Sequence, residues 1–374
     1  MKHSLIWSAV RVAAATLSVL LTAAATPGTA LAEDANRPAL FTVPAAGGLP
    51  AAAVSISGNI AVFGVPDTAR GYGAAYVYLR TPSGWRRKAA IYDPLKAPEA
   101  AFGNSVAVSG TTILIGSPGD HLPGYRGRAY FYVLSAGRWH QQAIIGAPAG
   151  QKSFGWAVGL SEAAAIIGAP GGSGYADIFA RSGSAWSLTA QLTSPNHQFG
   201  LAVAIDHGTA AAEGLTSHLV DKAYVYARDR SGWHLDQVLA PYRAGQVIVG
   251  LALSGSTLAS GAIPGNDPVT VYARSARGWH LQARLPDPIT SSSFSAYGWS
   301  LAVSGTRLVA GAPLAGKNCG IAYEFTRSGA KWREKAVIEN PHCAGLGFFG
   351  LAVGVSGRTA MIAGDNTVYL QQLP

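Results

Sequence analysis

The stretch Phe102–Asp120, FGNSVAVSGTTILIGSPGD, decides the fold. An aromatic–Gly pair opens it, and five alternating residues lead into a Ser-Gly turn. An apolar run then ends at Gly-Ser-Pro. Two short strands joined by a tight turn fit that pattern. The stretch returns as FGWAVGLSEAAAIIGAP from Phe154, FGLAVAIDHGTAAAEGL from Phe199 and VGLALSGSTLASGAIPG from Val249. It returns again as YGWSLAVSGTRLVAGAP from Tyr297 and FGLAVGVSGRTAMIAGD from Phe349, with an eroded copy, PAAAVSISGNIAVFGVP, from Pro50. The marker glycines Gly103, Gly155, Gly200, Gly250, Gly298 and Gly350 are 52, 45, 50, 48 and 52 residues apart. A second marker keeps the same step: Trp85, Trp139, Trp186, Trp233, Trp279 and Trp332 each follow a Ser- and Gly-containing turn.

Each unit reads as four strands. SVAVS alternates, and TILIG is apolar on both faces, as suits a strand buried between layers. RAYFYVL alternates again with its tyrosines on one face, and the Trp begins a fourth strand. No stretch carries a sustained helical period. A four-stranded sheet of this size cannot bury its faces alone, so the units must stack. The expected fold is all-β, a seven-bladed β-propeller, with blades at about 50–98, 99–151, 152–197, 198–246, 247–294, 295–346 and 347–374. The last copy lacks a fourth strand, so Ala39–Val43, within 38–45, is expected to supply it and close the ring. The repeated Gly permits close backbone approach, and Pro66, Pro118, Pro170 and Pro313 end the second strands. The recurrent Trp is read as packing between blades; a sugar platform is the other reading.

Residues 1–32 read as a signal peptide. Lys2 and Arg11 flank an Ala-rich apolar stretch, and Ala30 and Ala32 form a small-x-small cleavage site. Pro27 and Gly28 interrupt that stretch, which argues against a membrane anchor. No other segment is apolar enough to span a bilayer, so the mature chain is expected to be secreted and monomeric. Removing Lys2 and Arg11 lowers the net charge from +9 to +7. The remaining cations are scattered, with Arg86, Arg87 and Lys88 the densest group, which argues against nucleic acid as a partner. In an exported chain the two cysteines, Cys319 and Cys343, are expected to pair.

The quoted repeats resemble those of FG-GAP proteins, the propeller family that includes the integrin α-subunit head, and specifically their exported bacterial form. The resemblance covers about residues 38–374 and implies seven blades. It also implies calcium loops of the D-x-D-x-D-G kind between first and second strands. Here those positions read SGNI, SGTT, SEAA, DHGT, SGST, SGTR and SGRT, with carboxylates only at Glu162 and Asp206. No cofactor and no metal are therefore expected.

In a propeller the loops from second to third strand share one face with the connections between blades. These segments vary in length and composition, whereas the turns of the opposite face are short and uniform. Binding is expected on the variable face, with Asp67, Arg70, Asp120, His121, Tyr125, Arg126, His218, Asn266, Asp267 and Lys317 as candidates. Cys319 and Cys343 fall on the same face. No nucleophile elbow, zinc-protease motif, phosphate loop or paired-Cys knuckle occurs, so no catalytic residue is assigned. The expected function is a non-enzymatic scaffold for an extracellular protein or carbohydrate. A lectin, and a hydrolase or lyase using the central funnel, are the alternatives.

Overall fold

The apolar run Thr112–Ser117 is buried at every residue, and so are its counterparts Ile60–Val65, Ala164–Ala169 and Thr359–Gly364. Burial on both faces requires a neighbouring sheet on each side, and the topology provides it. Seven four-stranded antiparallel sheets lie in a closed ring, six of them with strands in the order of the chain from centre to rim and the seventh with an N-terminal strand at its rim. The computed structural model describes residues 39–42, 53–66, 71–119, 124–148, 151–194, 199–215, 220–264, 267–289, 294–343, 347–364 and 367–374. Counted by their strands, the blades span 53–92, 105–146, 157–192, 199–239, 247–285, 300–339 and 352–372. Ala39–Thr42 completes blade 7, pairing Ala39 with Leu370 and Thr42 with Thr367. Both ends of the chain are thereby tied into one sheet. The segment expected to be a leader, with its expected cleavage site, lies outside the described residues.

The hydrophobic core is divided into seven parts, one at each joint between neighbouring blades. Every repeated Trp packs into the core shared with the preceding blade: Trp186, for example, stacks on Phe131 with ring centroids 4.2 Å apart. Its indole N–H also donates to the Gln142 side chain of that blade at 2.8 Å. The third strands are more buried than simple alternation predicts. Tyr130, Phe131 and Tyr132 are all buried, because each faces a neighbouring blade on one side or the other.

One sequence marker needs correction. Gly250 pairs with Gly261, the station that Ser105 and Ser300 hold opposite Gly116 and Gly311. The position of the aromatic–Gly glycine in blade 5 therefore belongs to Ile248, two residues earlier. An isoleucine cannot comfortably take the left-handed turn that Gly103 (φ 91°) and Gly350 (φ 91°) make. The segment instead stays extended, and the first strand of blade 5 begins already at Val247.

On the face of the short turns, a side chain ending each first strand accepts a hydrogen bond from the next blade's turn. Ser57 receives the Gly110 N–H at 3.2 Å, Ser109 that of Glu162 at 2.9 Å and Ser161 that of His207 at 2.9 Å. The series continues through Asp206 to Gly255 at 2.6 Å, Ser254 to Gly305 at 3.2 Å and Ser304 to Gly357 at 3.1 Å. Ser356 then receives the Gly58 N–H at 3.0 Å, joining the last blade to the first. Seven joints close the circle.

Candidate functional site

The opposite face gathers the loops from second to third strand with the connections between blades. They are bonded to one another through the backbone: Phe154 N–H donates to Arg126 O at 3.1 Å and Phe349 N–H to Cys319 O at 3.0 Å. The Cys319–Cys343 disulfide, with Cα atoms 5.5 Å apart, fastens the blade 6 loop to the connection that follows it.

Of the candidate residues on this face, Asp67, Arg70, Asp120, His121, His218 and Asn266 lie outside the described residues. Tyr125 is half-buried over Gly119, with its hydroxyl 3.1 Å from that of Ser117 and the Arg128 guanidinium 5.0 Å from its ring. Arg126 is exposed beside it. Asp267, half-buried, accepts from the Gln246 side-chain amide. Lys317 is exposed in the helical turn Ala315–Asn318, at a left-handed φ of 59°. Tyr125 and Arg126 belong to blade 2, Asp267 to blade 5 and Lys317 to blade 6. Among the described residues no hydrogen bond or ion pair joins these three groups.

What the fold does bring together is the residue that follows each aromatic–Gly position. Each innermost strand packs against those of the blades on either side, all the way round, so these strands line a central channel. Asn104, Trp156, Leu201, Val249, Trp299 and Leu351 enter these strands from the loop face. All six are partly exposed, and the five apolar ones belong to none of the seven interblade cores. They therefore stand at the channel mouth. A repeated turn fixes several of them: Asn104, Trp156, Trp299 and Leu351 N–H donate to Ala101, Ser153, Ala296 and Phe348 O at 3.0–3.1 Å. Those four acceptor residues all sit at left-handed φ without being glycine, a local strain that the surrounding blades must hold in place. The Asn104 side-chain amide also donates to Trp156 O at 3.0 Å, linking blades 2 and 3.

The mouth thus offers two indoles, three aliphatic side chains and one amide, with no ionisable group among the six. Such a ring can stack on flat surfaces and exclude water from apolar ones, and none of its six side chains carries a titratable group. Sequence reasoning passed over Trp156 and Trp299, although both stand outside the one-per-blade tryptophan series. That surplus was the available signal.

A cluster of ionisable groups lies on the other face. His207 Nδ1 is 2.7 Å from Asp206 Oδ1, and its Nε2 is 3.5 Å from Glu162 Oε1. His207 and Glu162 are largely exposed, so these contacts are screened and contribute little. Asp206 is already engaged in the ring of turn hydrogen bonds. Among the described residues no group of three His, Cys, Asp or Glu side chains is arranged to hold a metal ion, and no helix is long and apolar enough to cross a membrane.

The FG-GAP repeat family model matches residues 85–132, from the outer strand of blade 1 into the third strand of blade 2. The chain is a seven-bladed β-propeller in which residues 85–132 match an FG-GAP repeat. No curated protein matches it. Solved structures share its fold at low identity. A chain of the mitotic checkpoint complex is 13% identical, with a TM-score of 0.61 over 94% of this propeller and 99% of that chain. Sqt1 of Saccharomyces cerevisiae is 10% identical, with a TM-score of 0.52 over 91% of this propeller and 100% of that chain. A protein from Lactobacillus plantarum is 12% identical, with a TM-score of 0.54 over 79% and 86%.

Proposed function

We propose that this propeller is an exported, non-enzymatic binding scaffold that holds an extracellular protein or glycan on its loop face, over the channel mouth. The observation that carries this reading is the ring of six partly exposed side chains, five of them apolar and two of them tryptophans. Partly exposed indoles held by rigid strands supply large contact area at little entropic cost. Arg126 and Lys317 on the surrounding loops would add polar contacts at the edge. The disulfide supports the same face by fixing one of its loops.

A lectin reading draws on the same two indoles, since a flat uncharged ring suits a pyranose. Both readings make one prediction. The chain from residue 33 is presented to a glycan array and to a panel of extracellular proteins. Any ligand it selects should bind at least tenfold more weakly to the W156A–W299A variant, with the fold unchanged by circular dichroism. Binding should survive EDTA, because no calcium is needed, and no turnover of the bound ligand should appear. Equal affinity of variant and parent would remove the channel mouth from the proposal.

A further inference from the structure

Where one blade meets the next, backbone normally touches backbone. A Cβ on Gly116 would stand 2.0 Å from Gly155 O in the following blade, and one on Gly311 would stand 2.0 Å from Gly350 O. Gly64, Gly168 and Gly261 occupy the same station. A second glycine begins the third strand at Gly73, Gly127 and Gly320, bridging in parallel to the incoming Phe102, Phe154 and Phe349.

The joint between blades 4 and 5 is built differently at all three stations. Glu213 holds the place of Gly116, Asp221 that of Gly127 and Ile248 that of the incoming glycine. Both carboxylates are buried, Glu213 at 1% and Asp221 at 0% exposure. Glu213 turns back to its own first strand, accepting the N–H groups of Leu201 at 2.8 Å and Ala202 at 3.4 Å. Asp221 reaches forward to the Ile248 N–H of blade 5 at 2.6 Å and takes the Lys222 N–H at 2.9 Å. The bond from Asp221 to Ile248 crosses the joint.

We propose that the joint between blades 4 and 5 is a proton-operated seam, shut while the Glu213–Asp221 pair keeps a proton and loosened once both are ionised. Two like charges in a dry pocket cannot both ionise without cost. Burial pushes both carboxyls up, Asp221 to about 7, and the Asp221 charge pushes Glu213 further. Backbone N–H groups donate to both carboxylates and partly offset the burial, which remains the larger effect. The first strand of blade 4, Phe199–Asp206, carries only Asp206, at its opposite end, and that of blade 5, Val247–Ser254, has no ionisable side chain. The third strand of blade 4 adds Lys222, Tyr224, Tyr226, Arg228 and Asp229, and the fourth adds His234 and Asp236. Among the described residues no cation lies within ion-pair distance of either carboxylate.

The direction follows from proton linkage. An acid whose folded pKa is raised contributes stability that is fully present below about pH 4 and is lost as pH rises through about 7. The reader is native-state hydrogen exchange of the Ile248 and Leu201 amides, corrected for intrinsic rates. The Phe154 amide, at a glycine-packed joint, serves as the internal reference. Between pH 5 and 7 the opening constant at Ile248 should rise about a hundredfold relative to Phe154, for one proton released per opening. In E213Q–D221N that relative rise should vanish. Should the double variant fail to fold, D221N alone must flatten the slope. A wild-type ratio that stays flat across this range overturns the proposal, as does an unchanged slope in the amide variants.

Discussion

The two faces of this propeller are made from the same seven repeats and obey different rules. On the short-turn face one joint is used seven times, with Ser at six stations and Asp at one. On the loop face every connection differs, and an extra covalent tie is used at Cys319–Cys343. The contrast follows from position. Turns of two residues leave no room for variation, and their N–H groups need acceptors. Loops outside the sheets are released from that demand and can change without disturbing the stack. Between the faces lies the glycine-packed middle that holds the blades at one spacing.

That middle gives the largest expected effect. The Gly116→Ala variant places a methyl group 2.0 Å from Gly155 O and 2.2 Å from Ser105 Oγ. Neither the backbone nor the strand behind it can yield without moving a blade, so the cost should be about 3 kcal/mol. Blade 7 carries Ala363 at the same station, so Ala363→Gly should change stability by less than about 1 kcal/mol. Denaturant midpoints of both variants measure the difference. Equal costs would mean that the glycine contact does not set the spacing of the blades.

These rules were unequally legible in the sequence. The blade count, the order of strands and the completing strand, expected over Ala39–Val43 and found over Ala39–Thr42, follow from a repeat with two markers. A register is harder to read than a period: Gly250 looked like the marker glycine and sits two residues past it, because glycine there serves a different neighbour. The serine of each Ser-Gly turn was visible, but its partner lies in the next blade, roughly 50 residues away in sequence. Trp156 and Trp299 were hidden by the more regular tryptophan series. A residue's orientation toward the channel depends on which strand is innermost, and only the assembled ring shows that. Six of the ten loop candidates lie outside the described residues, and nothing in a single sequence says which loops lean together.

The loop face has its own test of intermediate size. Replacing both Cys319 and Cys343 by Ser opens a loop whose ends are 24 residues apart in sequence. The chain-entropy model assigns that closure about 3 kcal/mol, and native packing around Gly347 and Phe349 should retain part of it. The expected net loss is about 2 kcal/mol, read as a lower denaturant midpoint. Exchange should quicken at Gly347, Phe348 and Phe349, whose N–H groups donate to Asn318 and Cys319. Quickening spread evenly over all seven blades would show that the disulfide braces the whole ring and is not a local clamp.

The smallest effect asks whether the ring has a weak joint. Ser356 links the last blade to the first, whereas Ser57 links two blades that the chain already connects. Each serine accepts one hydrogen bond from an exposed turn, so water can replace the lost acceptor and each Ser→Ala change should cost about 0.5–1 kcal/mol. If the serine were what closed the circle, S356A would cost more than S57A. The pairing of Ala39–Thr42 with Thr367–Leu370 already closes blade 7 through four residues of ladder. We therefore expect the two variants to fall within about 0.5 kcal/mol of each other in denaturant unfolding. A clearly larger loss in S356A would place the closure in the turn ring and demote the N-terminal strand to a cover.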